Sequence, residues 1–181
     1  LGSFTLHRLK GFPLTDRDAR NYADYVKHLE RRNMADFDML VVKAATLLET
    51  VPDVAEAVRS RWEYVLVDEF QDLNVRQYEV VRALTRRHRN VLAVGDDEQS
   101  IFSWAGADPS VLKRFAQDGE LAAPILLDIN HRTSQQIFGV ARRLLRSNPS
   151  LFDKELTASR QSPFEVRALA FSPDGRALAS G

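Results

Sequence analysis

Asp68 and Glu69 close a short apolar run, Tyr64-Val65-Leu66-Val67, and are followed at once by Phe70-Gln71-Asp72. Two adjacent carboxylates in a partly dry site can divide the work of phosphate-ester hydrolysis. One holds Mg²⁺, often through water, and the other orients or deprotonates the attacking water. The run Asn90-Val91-Leu92-Ala93-Val94 ends the same way, in Gly95-Asp96-Asp97-Glu98-Gln99-Ser100. Phe102 and Trp104 follow, two residues apart in a Gly-containing stretch, where exposed rings would make a base-stacking platform and buried ones ordinary core. Asn130-His131-Arg132 comes after a third apolar run, Ala123–Ile129. A guanidinium there can stabilise charge on a transferring phosphoryl group, and a neighbouring His can stack on a purine. Each has a plainer reading: a strand followed by a charged turn, or an Arg in a surface ion pair.

The elements that would position these groups are legible from periodicity. Short runs of β-branched and aliphatic residues suit central parallel strands covered on both faces, and ligands of open α/β sheets bind beyond the carboxyl ends of such strands. Between the first two runs, Asn74 can cap a helix carrying Val75, Tyr78, Val81, Ala83 and Leu84, which ends in the basic run Arg86-Arg87-His88-Arg89. A strand–helix–strand unit of this kind should be parallel and right-handed, with both polar termini at one edge of the sheet. Asp68, Glu69, Asp96 and Gln99 are therefore expected to share one cleft.

Upstream, residues 1–15 show no clear period and read as a loop or linker. Asp16–Arg32 has apolar residues at helical spacing. A second helix begins near Asp36 with the face Phe37, Leu40, Val41, Ala44, Leu47 and Leu48, and Pro52 restarts a shorter one through Val58. Arg31, Arg32, Arg59 and Arg61 read as solvated helix ends rather than phosphate contacts. Ser110–Ala116 is expected as a short helix after Pro109, and Thr133 or Ser134 caps a long helix through Ser147 stopped by Asn148-Pro149. Val166–Phe171 alternates as a strand before a turn at Ser172-Pro173-Asp174-Gly175.

The chain has 181 residues, 44% hydrophobic and 28% charged, which is ordinary globular composition with room for one domain and part of another. Lys+Arg 25 against Asp+Glu 25 leaves a formal net charge of +0, so charge neither supports nor excludes a nucleic-acid partner. The absence of Cys excludes a disulfide framework and thiolate metal sites, and no apolar run approaches the ~18 residues that span a bilayer. The first residues, Leu1-Gly2-Ser3-Phe4, do not resemble a signal peptide, and a cytoplasmic protein cut from a longer chain is the expectation.

Three segments, Val67–Asp72, Val94–Asp108 and Asn130-His131-Arg132, resemble in order and spacing motifs II, III and IV of UvrD/Rep/PcrA-type superfamily 1 DNA helicases. Asp36-Phe37-Asp38-Met39-Leu40 is similar to the segment that precedes motif II there. The resemblance runs from about Ala19 to Phe171 and implies an α/β, RecA-like P-loop NTPase core, a parallel sheet flanked by helices, present here incompletely. It implies ATP and Mg²⁺ as cofactors, with Asp68 as the metal ligand and Glu69 as general base. Gln99 would sense the γ-phosphate, Arg132 would act as an arginine finger between two RecA-like domains, and His131 would meet the adenine. Phe102 and Trp104 would face single-stranded DNA. Single-stranded and duplex-junction DNA are the implied partners, with accessory repair or replication proteins, and no membrane.

By the same resemblance, residues 1–33 would end an inserted helical subdomain, 34–128 would be the C-terminal part of the first RecA-like domain, and 129–181 the start of the second. The chain departs from the pattern in three places. Ala105 stands where the family commonly has Arg, His131 stands where it commonly has Tyr, and no Gly-Lys-Ser/Thr phosphate loop occurs in the 181 residues. This stretch alone is not expected to turn over ATP. The competing readings are a non-catalytic DNA- or protein-binding module, or a helicase piece fused to a WD40-like strand–turn–strand, since Val166–Gly181 resembles part of one propeller blade.

Overall fold

The computed structural model describes residues 2–87, 90–119, 124–145 and 154–162, together with the strands 169–171 and 177–179. The expected stop at Asn148-Pro149, the residues 146–147 of the preceding helix, the turn at 172–175, the start of the third apolar run at Ala123 and His88-Arg89 lie outside the described residues. The chain falls into two compact units, Leu1–Ala123 and Pro124–Gly181.

The first unit is mostly helical. The element order is α1 (Gly2–Lys10), α2 (Asp16–Arg31), α3 (Phe37–Thr50), α4 (Pro52–Arg59), β1 (Val65–Val67), α5 (Val75–Thr85), β2 (Val91–Ala93) and α6 (Ser110–Asp118). Local signals set most of the helix starts. Thr15 accepts from the Asp18 amide at α2, Asp36 from the Met39 amide at α3, and Asn74 and Gln77 form a reciprocal capping box at α5. Pro52 opens α4, where a missing N–H costs nothing. Strands β1 and β2 pair in parallel, Val65 with Val91 and Val67 with Ala93, as a β–α–β unit should.

Helix α1 corrects the expectation of a loop over residues 1–15 as far as Lys10, while residues 11–15 are loop. Contacts distant in sequence hold it: Arg8 Nη1 donates to both Asp36 oxygens at 2.6 and 2.5 Å, and Phe4 packs edge-on to Tyr22 with centroids 5.3 Å apart. Gly11, at φ 72°, ends it in the left-handed conformation that Gly adopts at least cost.

The core beneath the sheet is Phe70, Tyr78 and Val111, with Val67, Leu73, Val81, Ala93, Leu112 and Phe115 packed around them. Tyr78 Oη donates to Asp118 Oδ2 at 2.6 Å, tying α5 to α6; burial first, and then this bond, hold the phenol in its neutral form. The opposite sheet face differs from expectation. Leu66 and Leu92, register partners, are 74% and 57% exposed, so in this chain β1 and β2 are covered on one face only. Helix α3 is likewise rotated from much of the predicted face: Met39 and Ala45 are buried beside the expected Leu48, while Phe37, Leu40, Ala44 and Leu47 are exposed.

In the second unit β3 (Ile129–Ser134) and β4 (Thr157–Arg160) pair in parallel, connected through α7 (Gln135–Leu145). Gln135 Nε2 donates to the Ala158 carbonyl at 3.2 Å, holding α7 to β4. The third strand was expected over Ala123–Ile129; instead residues 124–128 are not in a strand and β3 begins at Ile129. β5 (Leu169–Phe171) and β6 (Ala177–Ala179) form an antiparallel pair. The described residues include no helix long and apolar enough to cross a membrane.

Candidate nucleotide and nucleic-acid site

At the carboxyl end of β1 the chain makes an abrupt turn. Glu69 sits at φ 49°, ψ 45°, a left-handed conformation unusual for a residue with a Cβ, and the following residues Phe70–Asp72 form one 3-10 turn. The two strand ends are stitched together across this turn: the Val94 amide donates to the Val67 carbonyl at 2.8 Å, and the Phe70 amide to the Val94 carbonyl at 2.9 Å. The turn folds Phe70 into the core and leaves Asp68 and Glu69 exposed at the sheet edge. An uncommon backbone conformation at such a place is typical of positions held by their surroundings for function.

What holds Glu69 is Gln71, which is fully buried. Its Nε2 donates to Glu69 Oε2 at 2.7 Å, and its Oε1 accepts from the Asp96 amide at 2.9 Å. One amide thus spans the ends of both strands. Asp96 continues the path, its Oδ2 accepting from Gln99 Nε2 at 2.8 Å and its Oδ1 from the Glu98 amide at 3.1 Å. Gly95 is required by this close approach, because a Cβ there would lie 2.7 Å from Gln71 Oε1 and 3.2 Å from the Gln71 and Phe70 amide nitrogens. Of the four residues expected to share one cleft, Glu69, Asp96 and Gln99 are joined through Gln71 at one sheet edge, with Asp68 next to Glu69 in the chain. Gln71 is the member that sequence reasoning passed over: it stands inside the acidic cluster, and a buried amide has no periodic signature.

Asp68 Oδ1 accepts from the Glu69 amide at 2.9 Å. Among the described residues no group of three or more His, Cys, Asp or Glu is arranged to hold a metal ion. A single hard carboxylate oxygen fits Mg²⁺, which keeps most of its waters and is bound through one or two carboxylates plus substrate phosphates rather than by a protein cage.

Beyond Gln99 the chain reaches the aromatic pair. Phe102 and Trp104 are 43% and 72% exposed, with ring centroids 6.2 Å apart and planes inclined by 55°. Their exposure separates them from core aromatics. The loop is braced from below: Gly106, at φ 99°, closes the 3-10 turn Ser103–Ala105 directly over Leu9 of α1, and the Asp108 amide donates to the Leu73 carbonyl at 2.9 Å.

In the second unit, His131 and Arg132 do not follow a strand end, as expected, but lie inside β3. Asn130 pairs with Ala158 and Ser134 with Arg160, so residues 131–133 face Ser159 alone and the strand bulges. Asn130 Oδ1 shapes the bulge by accepting from the amides of Arg132 and Thr133 at 2.9 and 3.0 Å. Both side chains of interest are exposed there.

The family model for the UvrD/REP helicase N-terminal domain matches residues 6–120. The chain belongs to that family. The UvrD/REP match spans all of β1, β2 and the aromatic loop. The chain is 38% identical over 145 residues to the ATP-dependent DNA helicase PcrA of Bacillus subtilis, covering 80% of this chain and 20% of the relative. It is 37% identical over 152 residues to the ATP-dependent DNA helicase Rep of Salmonella typhimurium and 38% over 156 residues to that of Escherichia coli, in each case 84% of this chain and 23% of the relative. The chain therefore spans about a fifth of the length of the curated UvrD/REP relatives it matches.

Proposed function

We propose that this chain supplies the water-activating and DNA-sensing part of an ATP-driven DNA helicase or translocase, one that couples ATP hydrolysis to movement along single-stranded DNA and to duplex unwinding. The observation that carries the reading is the hydrogen-bonded path from Glu69 through Gln71 and Asp96 to Gln99, three residues before the exposed Phe102 in the sequence. It joins a candidate general base to a candidate phosphate sensor, Gln99, in the same segment that leads on to the candidate stacking surface. Membership of the UvrD/REP family and the names of the PcrA and Rep relatives support ATP as the substrate and DNA as the partner. The resemblance implies 3′ to 5′ movement.

In this reading Asp68 holds Mg²⁺, which when bound neutralises charge on the β- and γ-phosphates. Glu69 takes the proton of the attacking water, with one carboxylate oxygen held by Gln71. The resemblance gives Gln99 the sensing of the γ-phosphate, Arg132 the stabilisation of charge on the transferring phosphoryl group, and His131 the adenine contact. A base stacked on Trp104 shifts the loop that carries Gln99, so occupancy by DNA and by nucleotide influence each other.

The test is the ATPase rate of the whole protein with and without single-stranded DNA. Stimulation by DNA is the expected result. ATP-independent DNA binding with no hydrolysis would favour the competing reading of a binding module.

A further inference from the structure

The bulge in β3 places a serine where nothing in the sequence pattern marks one. Ser159 is the one β4 residue opposite His131-Arg132-Thr133, and its Oγ lies 2.9 Å from His131 Nδ1 and 3.4 Å from the Asn130 carbonyl oxygen. One hydroxyl therefore spans the side chain of His131 and the backbone at the base of the bulge. Its neighbour Arg160 adds a second tie, Nη1 donating to the Arg132 carbonyl at 3.0 Å. An exposed imidazole on a bulge would otherwise rotate freely about its ring torsion, which is broad and soft. With Nδ1 engaged, that rotation is restricted, and the ring face and the Nε2 edge remain open.

We propose that Ser159 is a positioning residue that fixes the His131 imidazole for a nucleobase. This inference rests on the reading of His131 as the adenine contact. Tyr, common at that position in the family, is larger and presents its face from a hydroxyl-tipped ring; an imidazole is smaller and has a ring nitrogen that a strand neighbour can hold. The Ser159–His131 pair is thus the local means by which this chain keeps a flat surface at that position. Ser159 is itself exposed, so truncating its hydroxyl removes the tie without opening a core cavity.

The experiment compares Ser159→Ala, Ser159→Thr and His131→Ala in the whole protein, measuring KM and kcat for ATP and for GTP at saturating single-stranded DNA. Losing one neutral hydrogen bond of this kind should raise the KM for ATP in Ser159→Ala by roughly fivefold. kcat should change little, the ratio of ATP to GTP use should fall, and Ser159→Thr should restore both. A raised KM in His131→Ala with an unchanged KM in Ser159→Ala overturns the positioning role alone. An unchanged KM in His131→Ala overturns the nucleobase reading itself. A fall in kcat without a change in KM in Ser159→Ala also refutes the proposal, because it would place the hydroxyl's effect on Arg132 and the phosphoryl group.

Discussion

Replacing Gln71 by Met keeps the length of the side chain and removes both of its strong hydrogen bonds. The two losses differ in kind. Glu69 is exposed, so water can replace the Gln71 amide at Oε2, and little stability is lost on that side. The Asp96 amide is partly buried against Gln71 Oε1 and has no such substitute. Leaving a buried donor unmade costs about 1–3 kcal/mol, and the lost charge-assisted bond adds a fraction of that, so about 2 kcal/mol is expected. With a urea m-value of about 1–3 kcal/mol/M, the midpoint of the 181-residue chain should fall by about 1 M with its slope unchanged. The catalytic consequence lies on the other side: in the whole protein, a Glu69 carboxylate released from Gln71 should lower kcat for DNA-stimulated ATP hydrolysis about tenfold or more while KM for ATP stays near its normal value. An unchanged midpoint would refute the structural role given to the Gln71 bridge. A lowered midpoint with normal kcat would show that the bridge supports the fold and does not position the base.

Two further outcomes follow from the same geometry. Trp104→Ala should weaken single-strand binding by about 1–3 kcal/mol while leaving the urea midpoint nearly unchanged, because the ring is 72% exposed; full affinity would mean that it does not stack on a base. Asp36, by contrast, is a stability element. Burial alone would raise its pKa, but hydrogen bonds from Arg8, the Met39 amide and Tyr25 outweigh it and hold the carboxyl below the usual carboxylate range. A depressed folded-state value means that the stabilisation is fully present above the unfolded carboxylate pKa of about 3.9 and is lost as pH falls through the lower folded value. Asp36→Asn keeps a helix-capping acceptor but leaves Arg8, whose side chain is 5% exposed, without its counter-charge, at a cost of about 3–5 kcal/mol. Urea midpoints measured from pH 6 down to pH 2 should fall steeply in the natural chain and more gently in Asp36→Asn; parallel curves would contradict this.

How much of this was visible in the sequence depends on the range of the interactions. The cap at Asn74, the helix start near Asp36, Pro52 at the start of α4 and the parallel pairing of β1 with β2 are local or topological signals, and they were legible. So was the arrival of Asp68, Glu69 and Gln99 at one sheet edge, because a short β–α–β unit leaves no other arrangement. Helix α1 was not, because its anchor is the pairing of Arg8 with Asp36, 28 residues away, rather than an apolar period. The bridge made by Gln71 has no pattern to read, since nothing in a side-chain amide announces which backbone it will meet. The bulge in β3 defeats a period-of-two reading: residues 131–133 stand against one partner, so His131 and Arg132 look like the tail of a strand when they lie within it. The exposed faces of α3 and of β1 and β2 were misjudged for a different reason, since apolar patterning shows that a face can be covered but not what covers it.

The central claim, that Glu69 activates water for attack on ATP, is tested most directly by Glu69→Gln in the whole protein. Glutamine has nearly the same shape and can still meet Gln71, but it cannot accept a proton from water. The account predicts that ATP binding and single-strand binding persist while DNA-stimulated hydrolysis falls by about two orders of magnitude or more. Hydrolysis at the natural rate in that variant would contradict it.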